Sequence, residues 1–327
     1  MKTLYWLVKR EFWEHRGGFF WAPVITGVVF LILNLMGIVA GEMFGLHHGI
    51  TIGYSPHGDN SIAAMIESIK ANHMQDVGST LDVVMLSSSF LISVVFSFVV
   101  FFYCLGALYD DRRDRSFLFW KSLPISDSAT VISKVITATL AAPVVAVVSG
   151  VLTGIAMLLM FAIALSFHGV SVWSLLMLAH PVQVTATLIG SIPMYLIWAL
   201  PTVGWLMFCS AWAKSKPFLW AVIVPVGVGI VISWFNVLGS MDVQNTWYWR
   251  NVFVRSLFSV FPGGWFHIAA EHQFGPDAQP TAQNIADFFS LSNSYAALAS
   301  PNVWIGAVLG LAMLAGAIWF RRWRDDS

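Results

Sequence analysis

Apolar positions in this chain run on continuously instead of alternating with polar ones. Six long runs stand out, at residues 19–40, 85–108, 135–165, 182–213, 218–238 and 303–320. A helix that crosses a hydrocarbon core about 30 Å thick needs about 20 such residues. The runs show no period of two, which excludes a membrane β-barrel. The pattern predicts an all-α integral membrane protein with six transmembrane helices. The third and fourth runs exceed the required length, so each is expected to tilt, to break at a proline or to extend beyond the lipid, with Pro143, Pro193, Pro201 and Pro225 as candidate kinks. The first run is too long for the apolar core of a secretory leader and has no small-residue cleavage site. It is therefore read as a membrane helix that stays in the protein.

The polar positions divide the rest of the chain. Residues 1–18 form an N-terminal interfacial helix, carried by the stretch TLYWLVKREFWEHR. Leu4, Leu7 and Val8 lie near one stripe that Glu11 and Phe12 continue, while Trp6 and Trp13 suit a membrane surface. Residues 109–134 connect the second and third runs. Residues 41–84 and 239–302 are two long segments on the opposite side, the first with a short helix expected around residues 62–74. The stretch FSVFPGGWFHIA, interrupted by Pro262, Gly263 and Gly264, reads as a re-entrant or interfacial element. A seventh span there would put the C-terminal charges on the wrong side.

Charge gives the runs their direction. Lys2, Lys9, Arg10 and Arg16 precede the first run, and Arg112, Arg113, Arg115, Lys121 and Lys134 follow the second. Lys214 and Lys216 separate the fourth from the fifth, and Arg321, Arg322 and Arg324 close the chain. With alternating spans these share one side, and only Lys70, Arg250 and Arg255 of the 17 basic residues fall on the other. Positive residues are retained in the cytoplasm, so both termini are expected there. Charged residues make up 10% of the chain, well under the roughly 25% of soluble domains. The mean hydropathy of +0.74 agrees. A net charge of zero offers no cationic surface for nucleic acid. Cys104 and Cys209 lie inside apolar runs and are expected as small buried residues, not as a disulfide.

The connector YDDRRDRSFLFWKSLPISDSATVISK combines features that a simple cytoplasmic loop does not need. Acids and arginines alternate through Arg112, Arg113, Asp114 and Arg115. The apolar Phe117, Leu118, Phe119 and Trp120 follow, then the stiff Leu123-Pro124 corner. Ser126 or Asp127 can cap a helix leading into the third span. This reads as a short docking helix with an apolar face and a charged rim. From Tyr109 through Pro124 to Lys134 the connector resembles that of ABC-2 type permeases, the membrane halves of ABC exporters. The likeness extends to the interfacial N-terminal helix, the six spans, both ends inside and the large segment between spans five and six. The first outer segment is longer than in compact members of that family.

The resemblance implies a permease subunit of an ATP-driven exporter in a bacterial inner membrane. It implies an ATPase subunit as a separate chain that carries ATP and Mg2+, and a second permease subunit, most simply another copy. Membrane lipids surround the assembly. The implied coupling residues are Arg112, Arg113, Asp114, Arg115, Phe117, Phe119, Trp120, Leu123 and Pro124.

The chain's own motifs agree with a non-enzyme. It has no G-x-x-x-x-G-K-[ST] loop, and no lysine follows a glycine. H-E-x-x-H and G-x-S-x-G are also missing, so no catalytic residue or bound cofactor is expected. His47, His48 and His57 match no strong metal template and are read as polar loop residues. Within the spans, Asn34, Gln183 and Asn236 are conspicuous amides that suit a helix interface or a polar translocation path. No acid sits firmly at mid-span, which argues against an ion-coupled secondary transporter. A membrane assembly protein without transport activity is the other alternative. The substrate is not legible: lipid, peptide and hydrophobic drug all suit such surfaces.

Overall fold

The computed structural model describes residues 2–47, 74–114, 125–167, 179–238, 245–266 and 289–323. All regular secondary structure among them is helical. Six helices are long and apolar enough to cross a membrane: Gly17–Gly41, Gly78–Arg113, Asp127–Ala164, Pro181–Trp212, Pro217–Val237 and Pro301–Trp323. Each covers one of the six predicted runs.

The elements follow in simple order. Helix α1 is Lys2–Glu14, and a wide π-turn over Gly17–Trp21 leads into α2, Ala22–His47. Helix α3 is Met74–Gly106, followed by the short α4, Tyr109–Arg113. Helix α5, Asp127–Ile136, continues through a π-turn at Thr137–Ala141 into α6, Ala142–Ser166. The fourth span is α7, Pro181–Gly190, and α8, Ile192–Trp212. The fifth is α9, Pro217–Val237. The re-entrant segment contains α10, Asn245–Tyr248, a π-turn at Trp249–Phe253, and α11, Val254–Phe258. The short α12, Leu291–Ala296, precedes the last span, α13, Pro301–Trp323.

Local chemistry explains these boundaries. Ser126 has extended backbone and its Oγ accepts from the Ala129 N–H at 3.2 Å, so α5 starts eight residues before the apolar run does. Hydropathy marks lipid depth, whereas the helix ends at its cap. Prolines open α7 and α9 at positions where no N–H is needed. Lys216, just before Pro217, takes a left-handed conformation at φ 46° and turns the chain from α8 into α9. The fourth span breaks at Ser191, with Pro193 in the first turn of α8. Pro143 sits just after the wide turn at Thr137–Ala141, where its ring and missing N–H are accommodated. Pro201 and Pro225 lie inside α8 and α9.

Small residues set the helix crossings. A Cβ on Gly310 of α13 would collide with the Leu200 carbonyl of α8, and one on Gly204 would collide with the Gly310 backbone. Gly150 and Gly154 of α6 lie against Ser89, Ser88 and Met85 of α3 in the same way. Such close approach is how membrane helices gain packing without a hydrophobic drive between them. In contrast, α2 and α9 present Ile25, Val29, Leu33, Met36, Ile223, Ile230 and Trp234 outward. Cys104 and Cys209 are both buried free thiols.

The segment after α9 returns into the bundle. The Thr202 hydroxyl donates to the Arg255 carbonyl at 2.8 Å and accepts the Ser259 N–H at 2.9 Å. Ser97 and Tyr195 both donate to the Val260 carbonyl, at 2.9 and 3.0 Å. The Tyr248 hydroxyl donates to the carbonyl of Pro225 at 2.7 Å. Thr202 lies ten residues inside the Trp212 end of α8, or about 15 Å along the helix axis. That is near half the depth of a bilayer core. The stretch leading to Pro262, Gly263 and Gly264 thus packs inside the bundle at about mid-span, the position that a re-entrant element takes.

Candidate functional site: a buried charge network at the basic end

Helix α1 supplies the centre of the site. Its stripe of Leu4, Leu7, Val8, Glu11 and Phe12 turns inward, while Tyr5, Trp6 and Trp13 are exposed. The apolar stripe thus packs on the bundle, and the aromatics face outward. Glu11 falls on the buried stripe one helical turn after Leu7 and is 0% exposed. A carboxylate so placed needs partners.

It has three. Arg10 Nη2 lies 2.6 Å from Glu11 Oε1, and Lys134 Nζ lies 3.2 Å from Oε2. The Tyr103 hydroxyl donates to Oε2 at 3.1 Å. Lys134, from α5, is itself 2% exposed and also reaches Asp111 Oδ1 of α4 at 3.5 Å. Asp111 Oδ2 accepts from Arg321 Nη1 of α13 at 3.1 Å, and Arg321 Nε donates to Asp127 Oδ1 at 3.2 Å. Three carboxylates, Glu11, Asp111 and Asp127, thus face three cations, Arg10, Lys134 and Arg321. Burial pushes the Glu11 carboxyl upward, but Lys134 and Arg10 outweigh burial and hold it below the ordinary carboxylate value.

A second set of bonds fastens the same connector to α8. The Ser210 hydroxyl accepts the N–H groups of Leu108 and Tyr109 at 3.0 and 2.9 Å. The Arg112 guanidinium donates to the carbonyls of Ser210 and Ala213. These are carbonyls near the α8 C-terminus, which an arginine satisfies well. The N-terminal helix, the start of the connector, the entry to span three and the last turns of spans four and six are thereby held at one end of the bundle. Both described ends of the chain lie at that end.

The predicted coupling residues divide into three groups. Arg112 is turned inward onto α8. Arg113 and Asp114 are exposed and lie 3.4 Å from each other. Arg115, Phe117, Phe119, Trp120, Leu123 and Pro124 lie outside the described residues. The three amides lie on three different helices, α2, α7 and α9. Asn34 donates to Phe30 of its own helix at 2.8 Å, Gln183 is exposed, and Asn236 is half-buried near the Val237 end of α9. An apolar cavity of about 100 Å³ between α3, α6, α8 and the re-entrant segment is lined by Phe90, Tyr195 and Trp265, and by none of the three. His48, His57, the His47 side chain and most of the 62–74 stretch lie outside the described residues.

Sequence reasoning missed Glu11, Asp111, Asp127 and Arg321 as one group. One sign was legible: Glu11 interrupts an otherwise apolar stripe, and an acid there calls for a buried cation. The chain matches no family model, no curated protein and no solved structure.

Proposed function

We propose that this chain is the permease subunit of an ATP-driven exporter of the ABC-2 type, in a bacterial inner membrane with both termini in the cytoplasm. The observation that carries the reading is the network that joins α1, α4, α5 and α13 through Glu11, Lys134, Asp111 and Arg321. A push on the connector at residues 109–134 reaches Asp111 first. From there it is passed to the third span through Lys134, to the sixth through Arg321, and to the surface helix through Glu11. Fixed charge pairs transmit force and also define discrete arrangements, as a switch between inward-open and outward-open packings requires.

The chain has no phosphate loop of its own. ATP and Mg2+ belong on a separate ATPase subunit, which docks on the connector and does the chemistry. Spans one and five present broad apolar faces, which suit a second permease subunit or lipid. A homodimer with two ATPases is the simplest assembly. In that arrangement Arg113, Asp114 and Arg115 form the rim of the docking surface, with Phe117, Phe119, Trp120, Leu123 and Pro124 at its centre. The inward-turned Arg112 is structural.

The test is affinity purification of the full chain in mild detergent, with identification of co-purifying proteins. An ABC-type ATPase in stoichiometric amount is expected, together with ATP hydrolysis that depends on it. A stable oligomer with no ATPase would replace this reading with that of an assembly protein. Transport driven by an ion gradient without ATP would replace it with a secondary carrier.

A further inference from the structure

The charge tally set Arg255 in an outer segment, but the structure carries it into the bundle at half depth. Arg255 is 9% exposed, and its Cζ lies 3.9 Å from the centroid of the Trp198 ring. Gly306 of α13 lies against the guanidinium, where a Cβ would collide with Nη2. Nη2 is buried and has no hydrogen-bond partner among the described residues. No described carboxylate lies within ion-pair distance of the guanidinium. Arginine carries its charge at any accessible pH and presents a planar fork suited to phosphate or carboxylate. An unneutralised arginine at membrane depth is costly, and such residues mark ligand paths. The Trp198 face offsets part of that cost but leaves the donor at Nη2 unused.

Arg255 lines a cleft of about 450 Å³ that Arg250, Val254, Phe258 and Gly264 also line. Arg250, Val254 and Phe258 recur every four residues and are exposed, giving the cleft a basic rim and an apolar wall. From these features we infer that the Arg255 cleft binds an anionic amphiphile, whose phosphate or carboxylate head meets the guanidinium and whose tail lies along Val254 and Phe258. The site goes beyond the exporter reading and holds whether or not an ATPase partner exists.

The full chain, purified in dodecyl maltoside, is titrated with radiolabelled dodecyl phosphate, and bound ligand is counted after rapid filtration. Saturation at one ligand per chain is expected. Arg255→Gln should weaken binding by about tenfold or more, as loss of a charge-assisted hydrogen bond does. Arg255→Lys should fall between, and Arg250→Gln at the exposed rim should weaken binding only about threefold. Phosphatidylglycerol that displaces the probe assigns the site to a bilayer lipid. An anionic lipid that fails to displace it, with saturable binding retained, assigns it to a single-chain amphiphile. Displacement by millimolar inorganic phosphate would refute the requirement for a tail. Binding to a folded Arg255→Gln protein at native strength would overturn the proposal. If that variant does not fold, the native chain still decides: dodecyl phosphate bound no better than its micellar mole fraction would overturn the proposal equally.

Discussion

Replacement of Lys134 by methionine removes one charge from a site with no solvent to replace it. Glu11 is 0% exposed and Lys134 2%. At 3.2 Å and an effective dielectric near 20, their attraction is about 5 kcal/mol. Desolvation of the two ions costs a similar amount, so the intact pair contributes little net stability. The single substitution is different, because the cost of burying Glu11 remains while its main cation is gone. Arg10 and Tyr103 still reach the carboxylate, which limits the damage to the lower part of the usual range of about 3–5 kcal/mol. For a chain of 327 residues that is a fall in Tm of roughly 4–6 °C. The assay is thermal unfolding in detergent, read with Lys134→Met, Glu11→Leu and the double variant. Each single change should destabilise, and the double variant should recover most of the loss. If Lys134→Met unfolds at the native temperature, or if the two losses simply add, Glu11 and Lys134 are not a coupled pair and the network cannot transmit force between α1 and α5.

Further outcomes follow from other parts of the structure. Glu11 is held below its ordinary value of 4.5, so its pairs add stability above that pH and lose it as pH falls through the folded value. Thermal unfolding from about pH 6 to pH 3 should therefore show a drop that Glu11→Gln flattens. Gly310→Ala places a methyl group against the Leu200 carbonyl and should lower Tm by several degrees, whereas Gly37→Ala on α2, which meets nothing, should not. A cytoplasmic reporter fused after Asp326 should be active, and fusions at Gly58 and Gln279 should report the opposite compartment. On the proposed reading, alanine at Phe119 or Trp120 should cost the complex with the ATPase about 2 kcal/mol, as aromatic anchors do. Alanine at Arg115 should cost about 1 kcal/mol or less. Co-purified ATPase per permease reads both.

The six spans were legible because burial in lipid demands continuous apolar runs, and this demand is met residue by residue along the chain. The starts of α5 and α3 were less legible, since helices extend past the lipid wherever a cap or polar flank permits. A break at a proline was one of three outcomes expected for the long fourth run. It falls at Ser191, two residues before Pro193, where the ring disturbs the preceding turn. The partners of Glu11 were not legible at all. Lys134 is 123 residues away, and no local periodicity encodes such a pairing. Arg255 was read for its sign but not for its depth, because a charge count treats a re-entrant segment as a loop.

The two buried charge sites differ in a way that bears on what each does. At the basic end, cations and carboxylates are matched in ion pairs within the chain. Such a site is complete and suits a mechanical joint, since any movement must carry its partners along or break costly pairs. At half depth, Arg255 has an aromatic face and no counter-ion among the described residues. That site is incomplete, and it gains most from something that arrives with a negative charge. The α8 helix connects the two. Ser210 bonds the connector at one end, and twelve residues away Trp198 supports Arg255, a distance of about 18 Å along the helix. A shift of α8 relative to α13 at Gly204 and Gly310 would move the ring under the guanidinium. An event at the connector and the occupancy of the proposed cleft would therefore act on one helix, and a ligand that binds one packing of α8 more tightly would bias the proposed joint by the same free energy.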